Sequence, residues 1–451
     1  MASKWVEVPL EQLKAQAKSA FAMGPFGSKI KAENFTTVGV PVIKGGNLNA
    51  TYLDESDFDF LTQEKADELE SAKARRLDIV ITHRGTLGQV GLIPENSRHE
   101  EYVVSQSQLK MSFDIKRVDP YFVYYFLKSP LGQSRLLSNV SQVGVPAIAQ
   151  ALTSVRAIEI PIPENRSEQV RISNVLRSLD DKIGLNRRIN QTLEAMAQAI
   201  FKSWFVDFDP VKARIAAIEQ GQAPLRAAMR AISGKTDLEL DQMPREHHDQ
   251  LAATAALFPD TMQESELGAI PKGWQVKRVG DLIELAYGKA LKSTDRQEGA
   301  VPVYGSGGIT GCHNEALVPH GAIIVGRKGT VGSLYWEDDP FYPIDTTIYV
   351  KPKAVPMTYC FYAMQTLGLN KMNTDAAVPG LNRENVYRLE LVKPSTPVLN
   401  AFDGLVAQIR KTMQANETTG QSLAELRDTL LPKLLSGELS VDNTSAEAAT
   451  A

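Results

Sequence analysis

Gly234-Lys235-Thr236 is the stretch of this chain closest to a nucleotide-binding loop, and it fails at the first requirement. Such a loop needs a glycine five residues earlier, so that backbone amides can turn toward the phosphates, and position 229 is Met229. A base-flipping adenine methyltransferase needs an Asn/Asp-Pro-Pro-aromatic tetrad, and none occurs. Cys312-His313, His320 and Cys360 carry ligand atoms, but their spacing fits no common zinc pattern. His247-His248 falls in an acidic stretch and reads as a solvated pair, and no Ser/His/Asp set can be assembled. The expectation is a chain without catalytic residues, metal or cofactor of its own. What remains is polar and basic side chains on glycine turns, where a backbone can approach a partner closely. Arg84-Gly85-Thr86-Leu87-Gly88 and Lys328-Gly329-Thr330-Val331-Gly332 are the clearest pair.

Those two turns belong to a longer repeat. Trp5-Val6-Glu7-Val8 returns as Trp274-Gln275-Val276-Lys277, and Val40-Pro41-Val42 with Gly45-Gly46 as Val301-Pro302-Val303 with Gly307-Gly308. Val145-Pro146-Ala147-Ile148 returns as Val378-Pro379-Gly380-Leu381. Four matches in one order, each series ending in a proline-closed apolar segment (157–163 and 389–394), describe a duplicated domain. Within each copy, 78–82, 109–113, 322–325 and 347–350 read as strands and 120–128 as a short helix. The first half offers Gly24-Pro25-Phe26-Gly27-Ser28, for which Tyr287-Gly288-Lys289-Ala290-Leu291-Lys292 is a poor copy.

A length of 451 residues asks for two or three domains. The 43% hydrophobic and 23% charged content is that of a globular protein, with no apolar run long enough for a membrane span. Two cysteines and no signal-peptide layout point to a cytoplasmic location.

After each repeat comes a long helical stretch. In the first, Ile172, Leu176, Leu179, Ile183, Asn186, Asn190, Leu193, Ala197, Ile200 and Trp204 alternate at four and three, the a/d spacing of a coiled coil. In the second, Phe402, Leu405, Ile409, Thr412, Asn416, Thr419, Leu423, Leu426 and Leu430 alternate at three and four, and Leu434 continues the stripe. Both seams are apolar at the ends and polar in the middle. Antiparallel pairing would set Asn186 and Asn190 against Thr412, Asn416 and Thr419, trading stability for register. The alternative is a pair of amphipathic helices packed on the domains. A helix from 172 to 204 would span about 50 Å, or roughly 14 base pairs of duplex.

The chain resembles the specificity subunits of type I restriction–modification systems. The resemblance rests on the loop 24–29, on Gly39-Val40-Pro41-Val42-Ile43-Lys44-Gly45-Gly46-Asn47 and on the 84–88 turn. It rests equally on Leu179-Asp180-Asp181-Lys182-Ile183, on Phe201 through Pro210 and on Leu423 through Glu438. It implies an α+β architecture of two duplicated mixed α/β target-recognition domains, separated by two long antiparallel coiled-coil helices. The expected segments are 1–163, a helix over 164–205, an acidic linker over 206–270, 271–394, a helix over 395–438 and a disordered tail over 439–451. It also implies bipartite duplex DNA as ligand and two modification (methyltransferase) subunits as partners. S-adenosylmethionine would sit on those subunits, and ATP and Mg on the restriction subunits of the full complex.

Arg and Lys suit guanine or phosphate, and Asn and Gln suit adenine. The candidate DNA contacts in the first domain are Ser28, Lys29, Lys31, Lys44, Asn47, Arg84, Thr86, Gln89, Ser105, Gln106 and Gln108. In the second they are Lys289, Lys292, Tyr304, Ser306, Arg327, Lys328, Thr330, Asn373 and Asn382. The net charge of −4 runs against bulk electrostatic binding. The excess of acid lies in 206–270, where about eleven carboxylates face about six Lys and Arg, so grip must come from local clusters and from partners. A duplicated protein-binding scaffold, or an enzyme of unrecognised chemistry, are the rival readings. A chain that scaffolds binds no specific DNA, and one that catalyses is active alone.

Overall fold

The computed structural model describes residues 4–26, 29–141, 144–372 and 380–441. Two compact units divide the chain: residues up to Arg187 together with those from Glu417, and Arg188–Asn416.

In the first unit, four short antiparallel strands lie in the order Phe21–Met23, Gln108–Met111, Ile79–Thr82, Val90–Leu92. Ile79, Ile81, Val90, Leu92, Leu109 and Met111 are buried in one core with the helix Pro120–Lys128. That helix is buried from Pro120 to Leu127, so its apolar run is a core element with no solvent face. A second sheet, with Val40–Ile43 and Glu101–Val104 running parallel at its centre, packs its own cluster around Tyr102. Trp5–Pro9 pairs antiparallel with Glu159–Pro163, the strand that leads into the first long helix.

The second unit repeats this plan. Ile283–Tyr287, Thr347–Pro352, Ala322–Gly326 and Leu334–Glu337 form a four-stranded antiparallel sheet in the same order. Gln275–Arg278 pairs antiparallel with Glu390–Lys393, as the first strand pair does in the other copy. The stretch 206–270 adds helices Asp209–Glu219, Pro224–Ser233, Asp237–Asp241 and Arg245–Ala256. Ala228, Met229, Leu240 and Ala255 form a small core of their own there.

The long helices run Arg166–Phe205 and Thr396–Leu435. In the first unit Ile172 and Leu176 share a core with Leu431, Leu434 and Leu435, and Asp180 meets Arg427, so the chains run antiparallel. In the second unit Phe201 packs on Phe402 (centroids 5.8 Å apart) and Asn190 meets Asn416, again antiparallel. Each helix end is also part of a domain core: Phe201, Trp204 and Phe205 join the sheet residues of the second unit. A fully buried aromatic of this kind contributes about 1.5–3 kcal/mol.

The second seam needs correction. Leu405 and Leu426 are 42% and 47% exposed, and Thr412 and Thr419 are exposed too. Val406, Met413 and Arg427 turn inward in their place, and Gly420 completes the same four-then-three spacing from Phe402 with open space where a side chain would lie. Phe402 and Ile409 are buried and Asn416, Leu423 and Leu430 half-buried, so these five keep their places in the seam. On the first helix Ile172, Leu176, Ile183, Asn186, Asn190, Ala197 and Trp204 are buried. Leu179, Leu193 and Ile200 are half-buried, and Asp180 and Phe201 go deeper than their neighbours in the stripe. The polar layer in the second unit is therefore Asn190 and Asn416 without Thr412. Asn416 donates to Asn190 Oδ1 at 2.8 Å, and Asn190 Nδ2 donates to the Met413 carbonyl at 2.9 Å.

Gly437, just past the second long helix, has φ 75°, and a Cβ there would fall 2.6 Å from the Trp5 indole nitrogen. No helix among the described residues is long and apolar enough to cross a membrane.

Candidate nucleic-acid interface

Five segments of the first unit meet at one end of its four-stranded sheet. Gly24 N–H donates to the Gln108 carbonyl (2.8 Å), Ser105 N–H to Ile43 (2.9 Å) and His83 N–H to Ser107 (2.9 Å). Ile148 N–H reaches the His83 carbonyl at 2.9 Å and Gly85 N–H the Pro146 carbonyl at 2.8 Å. Glycine is required at position 24 by close approach, since a Cβ would collide with the Ser105 carbonyl. At Gly85 the requirement is conformational, with φ 95°.

Several polar candidates turn out to build this framework. Asn47 is buried: it accepts from Lys44 N–H (2.9 Å) and donates to the carbonyls of Asp57 (2.8 Å) and Asp54 (3.2 Å). Gln108 is 1% exposed, donating to Thr82 Oγ1 at 3.2 Å and accepting from Ser105 Oγ. Thr82 in turn donates to Gln89 Oε1 (2.8 Å), and the Gln89 amide donates to Asn49 Oδ1 (2.6 Å) and the Gly45 carbonyl (3.1 Å). Asn47 and Gln108 are thus removed as direct contacts, because every polar atom that could meet a base is engaged or covered. Lys29, Lys31, Lys44, Arg84, Thr86 and Gln106 stay exposed, with Ser105 half-buried. Lys44 pairs with Asp59 and lies over the Phe35 ring, and Lys31 pairs with Glu33 at 3.6 Å. Among the described residues Arg84 meets no carboxylate. Ser28 lies outside the described residues.

The second unit is wired alike. Gly288 N–H donates to Thr347 O (3.1 Å), Ile344 N–H to Tyr304 O (2.9 Å) and Leu381 N–H to Arg327 O (2.8 Å). Arg84 and Lys328 are equivalent by backbone as well as by sequence, since each forms an isolated antiparallel bridge, with Ala147 and with Gly380. Gly24 and Gly288 are likewise equivalent, although the loops they open share little sequence. Tyr304 is corrected to a core residue: its ring packs on Phe341 and its hydroxyl donates to Glu337 at 2.9 Å. Asn382 is exposed and caps the helix Arg383–Tyr387 by accepting from Glu384 N–H. The Ser306 carbonyl accepts from Ser333 Oγ at 2.6 Å, while Lys289, Lys292, Lys328 and Thr330 are exposed. Asn373 lies outside the described residues.

Two residues emerge that sequence reasoning missed. Tyr287 is 46% exposed, and the guanidinium carbons of Arg327 and Arg383 each lie 4.9 Å from its ring centroid. The three come from separate segments, so no spacing announces them. His83, at the place of Arg327, is instead buried with Nε2 beside the Gln106 carbonyl at 3.2 Å, and burial pushes its pKa down.

Cys312 is exposed and Cys360 buried, with burial pushing the Cys360 thiol up to about 12. Among the described residues no three His, Cys, Asp or Glu side chains gather as a metal site.

The sequence profile of the type I restriction modification DNA specificity domain matches this chain twice, over residues 24–195 and 271–426. The specificity subunit of the HindI type I restriction enzyme of Haemophilus influenzae is 30% identical over 384 residues, 75% of this chain and 82% of that one. The MjaIX specificity subunit of Methanocaldococcus jannaschii is 21% identical over 361 residues, 71% of this chain and 69% of that one. The S subunit structure from M. genitalium shares the fold, with a TM-score of 0.54 at 18% identity over 96% of both chains. Each of the two profile matches takes in one of the duplicated sheets, and on this ground the chain belongs to the specificity subunits of type I restriction–modification systems, non-catalytic components that recognise DNA sequence through two target-recognition domains.

Proposed function

We propose that each domain reads one half of a split, asymmetric duplex site, and that the paired helices set the spacer and dock two modification subunits. Restriction subunits join through these, and the methyl donor, ATP and Mg belong to the partners. The whole assembly is cytoplasmic in this reading. The observation that carries it is the repetition of one backbone framework with different side chains at its polar end. A duplicated framework holds two readers in equivalent poses, and unlike side chains let them read unlike sequences.

Arg84 and Lys328 are the contacts this reading ranks first, joined by the exposed candidates around each. Each is exposed, sits on a glycine turn and meets no carboxylate among the described residues. A cation so placed is available to phosphate. The chain co-purified with candidate modification subunits should methylate a bipartite site. Arg84→Ala and Lys328→Ala should weaken binding across all duplexes without lowering the melting temperature, each flattening the log–log salt slope by about 0.9. Unchanged affinity and salt slope in both variants would remove the two residues from the interface. A chain that binds no specific duplex, with or without partners, would favour the scaffold reading.

A further inference from the structure

The two copies can be compared position by position, because backbone bonds fix the equivalences. The sugar–phosphate backbone is the same in both halves of any duplex site, whereas base edges differ. A side chain that grips phosphate can therefore keep its chemistry in both copies, and a side chain that reads a base is free to change. Arg84 and Lys328, paired by their bridges to Ala147 and Gly380, keep a cation. Three neighbouring positions do not. His83 answers to Arg327, since each carbonyl accepts from the equivalent amides of Ile148 and Leu381. Arg383 opens the helix Arg383–Tyr387 that follows these amides, and the corresponding helix of the first unit, Ala151–Arg156, opens on an alanine. Met23 answers to Tyr287, each directly before the glycine whose N–H caps the neighbouring strand.

In the second unit the three changes fall together in space. Both guanidiniums stack on the half-exposed Tyr287 ring, an arrangement that holds a planar fork in place with little rotamer freedom left to lose. Arg327 is braced by one bond, from Nη1 to the Asp345 carbonyl at 3.1 Å. Among the described residues no carboxylate neutralises it. Arg383 pairs with Glu384 at 3.5 Å and donates from Nη1 to the Leu285 carbonyl at 3.4 Å, while its Nε is buried without an acceptor. Two like charges on one ring repel, and an electronegative partner relieves that. The first unit offers a thioether, an inward-turned imidazole and a methyl group at these places, and no fork.

We infer that Arg327, stacked on Tyr287 beside Arg383, is the guanine-reading group of the second domain, bonding the O6 and N7 edge of a guanine in its half-site, while the first domain reads its half-site without this contact. The inference rests on the DNA-recognition reading above and adds the base to it. Bidentate arginine is the side chain whose geometry matches guanine in the major groove.

The test uses the full chain with its co-expressed modification subunits and duplexes carrying the methylated site. The second domain's half-site should contain a guanine whose replacement by 7-deazaguanine, which lacks N7, lowers binding about tenfold or more. Arg327→Gln should lose discrimination at that base pair alone, with the other half-site read as before. Arg327→Lys, which keeps the charge without the fork, should lose it too. A half-site without guanine, or an Arg327→Gln variant weakened equally on all duplexes with a flatter salt slope, overturns the inference and leaves DNA recognition standing. The 7-deazaguanine arm needs no variant to fold. A wild-type complex that selects no site overturns both.

Discussion

Gly24 shows how much of the recognition end is decided by single atoms. Its N–H closes on Gln108 while its missing side chain makes room for the Ser105 carbonyl, so one residue ties the end of the strand Phe21–Met23 to the turn that carries Gln106. We expect Gly24→Ala to cost about 1–3 kcal/mol, because backbone must move to admit a methyl group. Gly46→Ala is the control, since nothing lies within 4 Å of its added Cβ. Urea denaturation of both variants checks this, and equal midpoints would refute the steric argument. The residue scale was only partly legible from sequence. Arg84 and Lys328 could be paired because each precedes Gly-Thr-x-Gly. Asn47 and Gln108 looked like readers and are braces, because an amide that suits adenine suits a loop carbonyl or a neighbouring hydroxyl equally well. Tyr287 and Arg383 were hidden, since a ring–guanidinium stack needs no particular distance along the chain.

At the scale of elements, the helices were legible in extent and half legible in face. Phe402, Ile409, Asn416, Leu423 and Leu430 mark the seam, but Leu405 and Val406 are both apolar, and either can complete an a/d pattern beside Phe402. Tertiary structure chooses Val406, and with it Met413 and Arg427. Arg427 looks wrong for a seam until Asp180 is seen opposite it at 2.6 Å, with Tyr125 donating to the same carboxylate at 2.8 Å. A buried carboxylate with two donors is tolerable only in one register, which suits a measuring element better than a merely stable one. Inserting four residues into each helix, beside Asn190 and beside Asn416, should lengthen the spacer by about two base pairs, since four residues add about 6 Å. The half-site sequences should stay as they are. Sequencing methylated sites reads both quantities, and an altered half-site or an unaltered spacer would count against the helices as a ruler.

For the whole molecule, duplication was the most legible fact, because repeated Trp, Val-Pro-Val and Gly-Thr-x-Gly landmarks survive where the intervening loops do not. The boundaries of the compact units were less so. Each unit takes one end of both long helices into its core, a long-range packing choice that periodicity along one helix does not encode. The contact of Gly437 with Trp5 follows from the same arrangement, and it reaches beyond packing. Residues near the two ends of the described chain are neighbours, so the order in which the polypeptide visits its parts is not imposed by its architecture. A circular permutant, with residue 441 joined to residue 4 through a short flexible linker and new ends opened at the exposed Gly221, should fold and melt as one with the parent. Calorimetry would decide it, a transition lowered by more than a few degrees telling against the idea. Which domain comes first along the polypeptide is then a matter of where the backbone is opened, and each unit keeps its own strand pairs and helix contacts under either order.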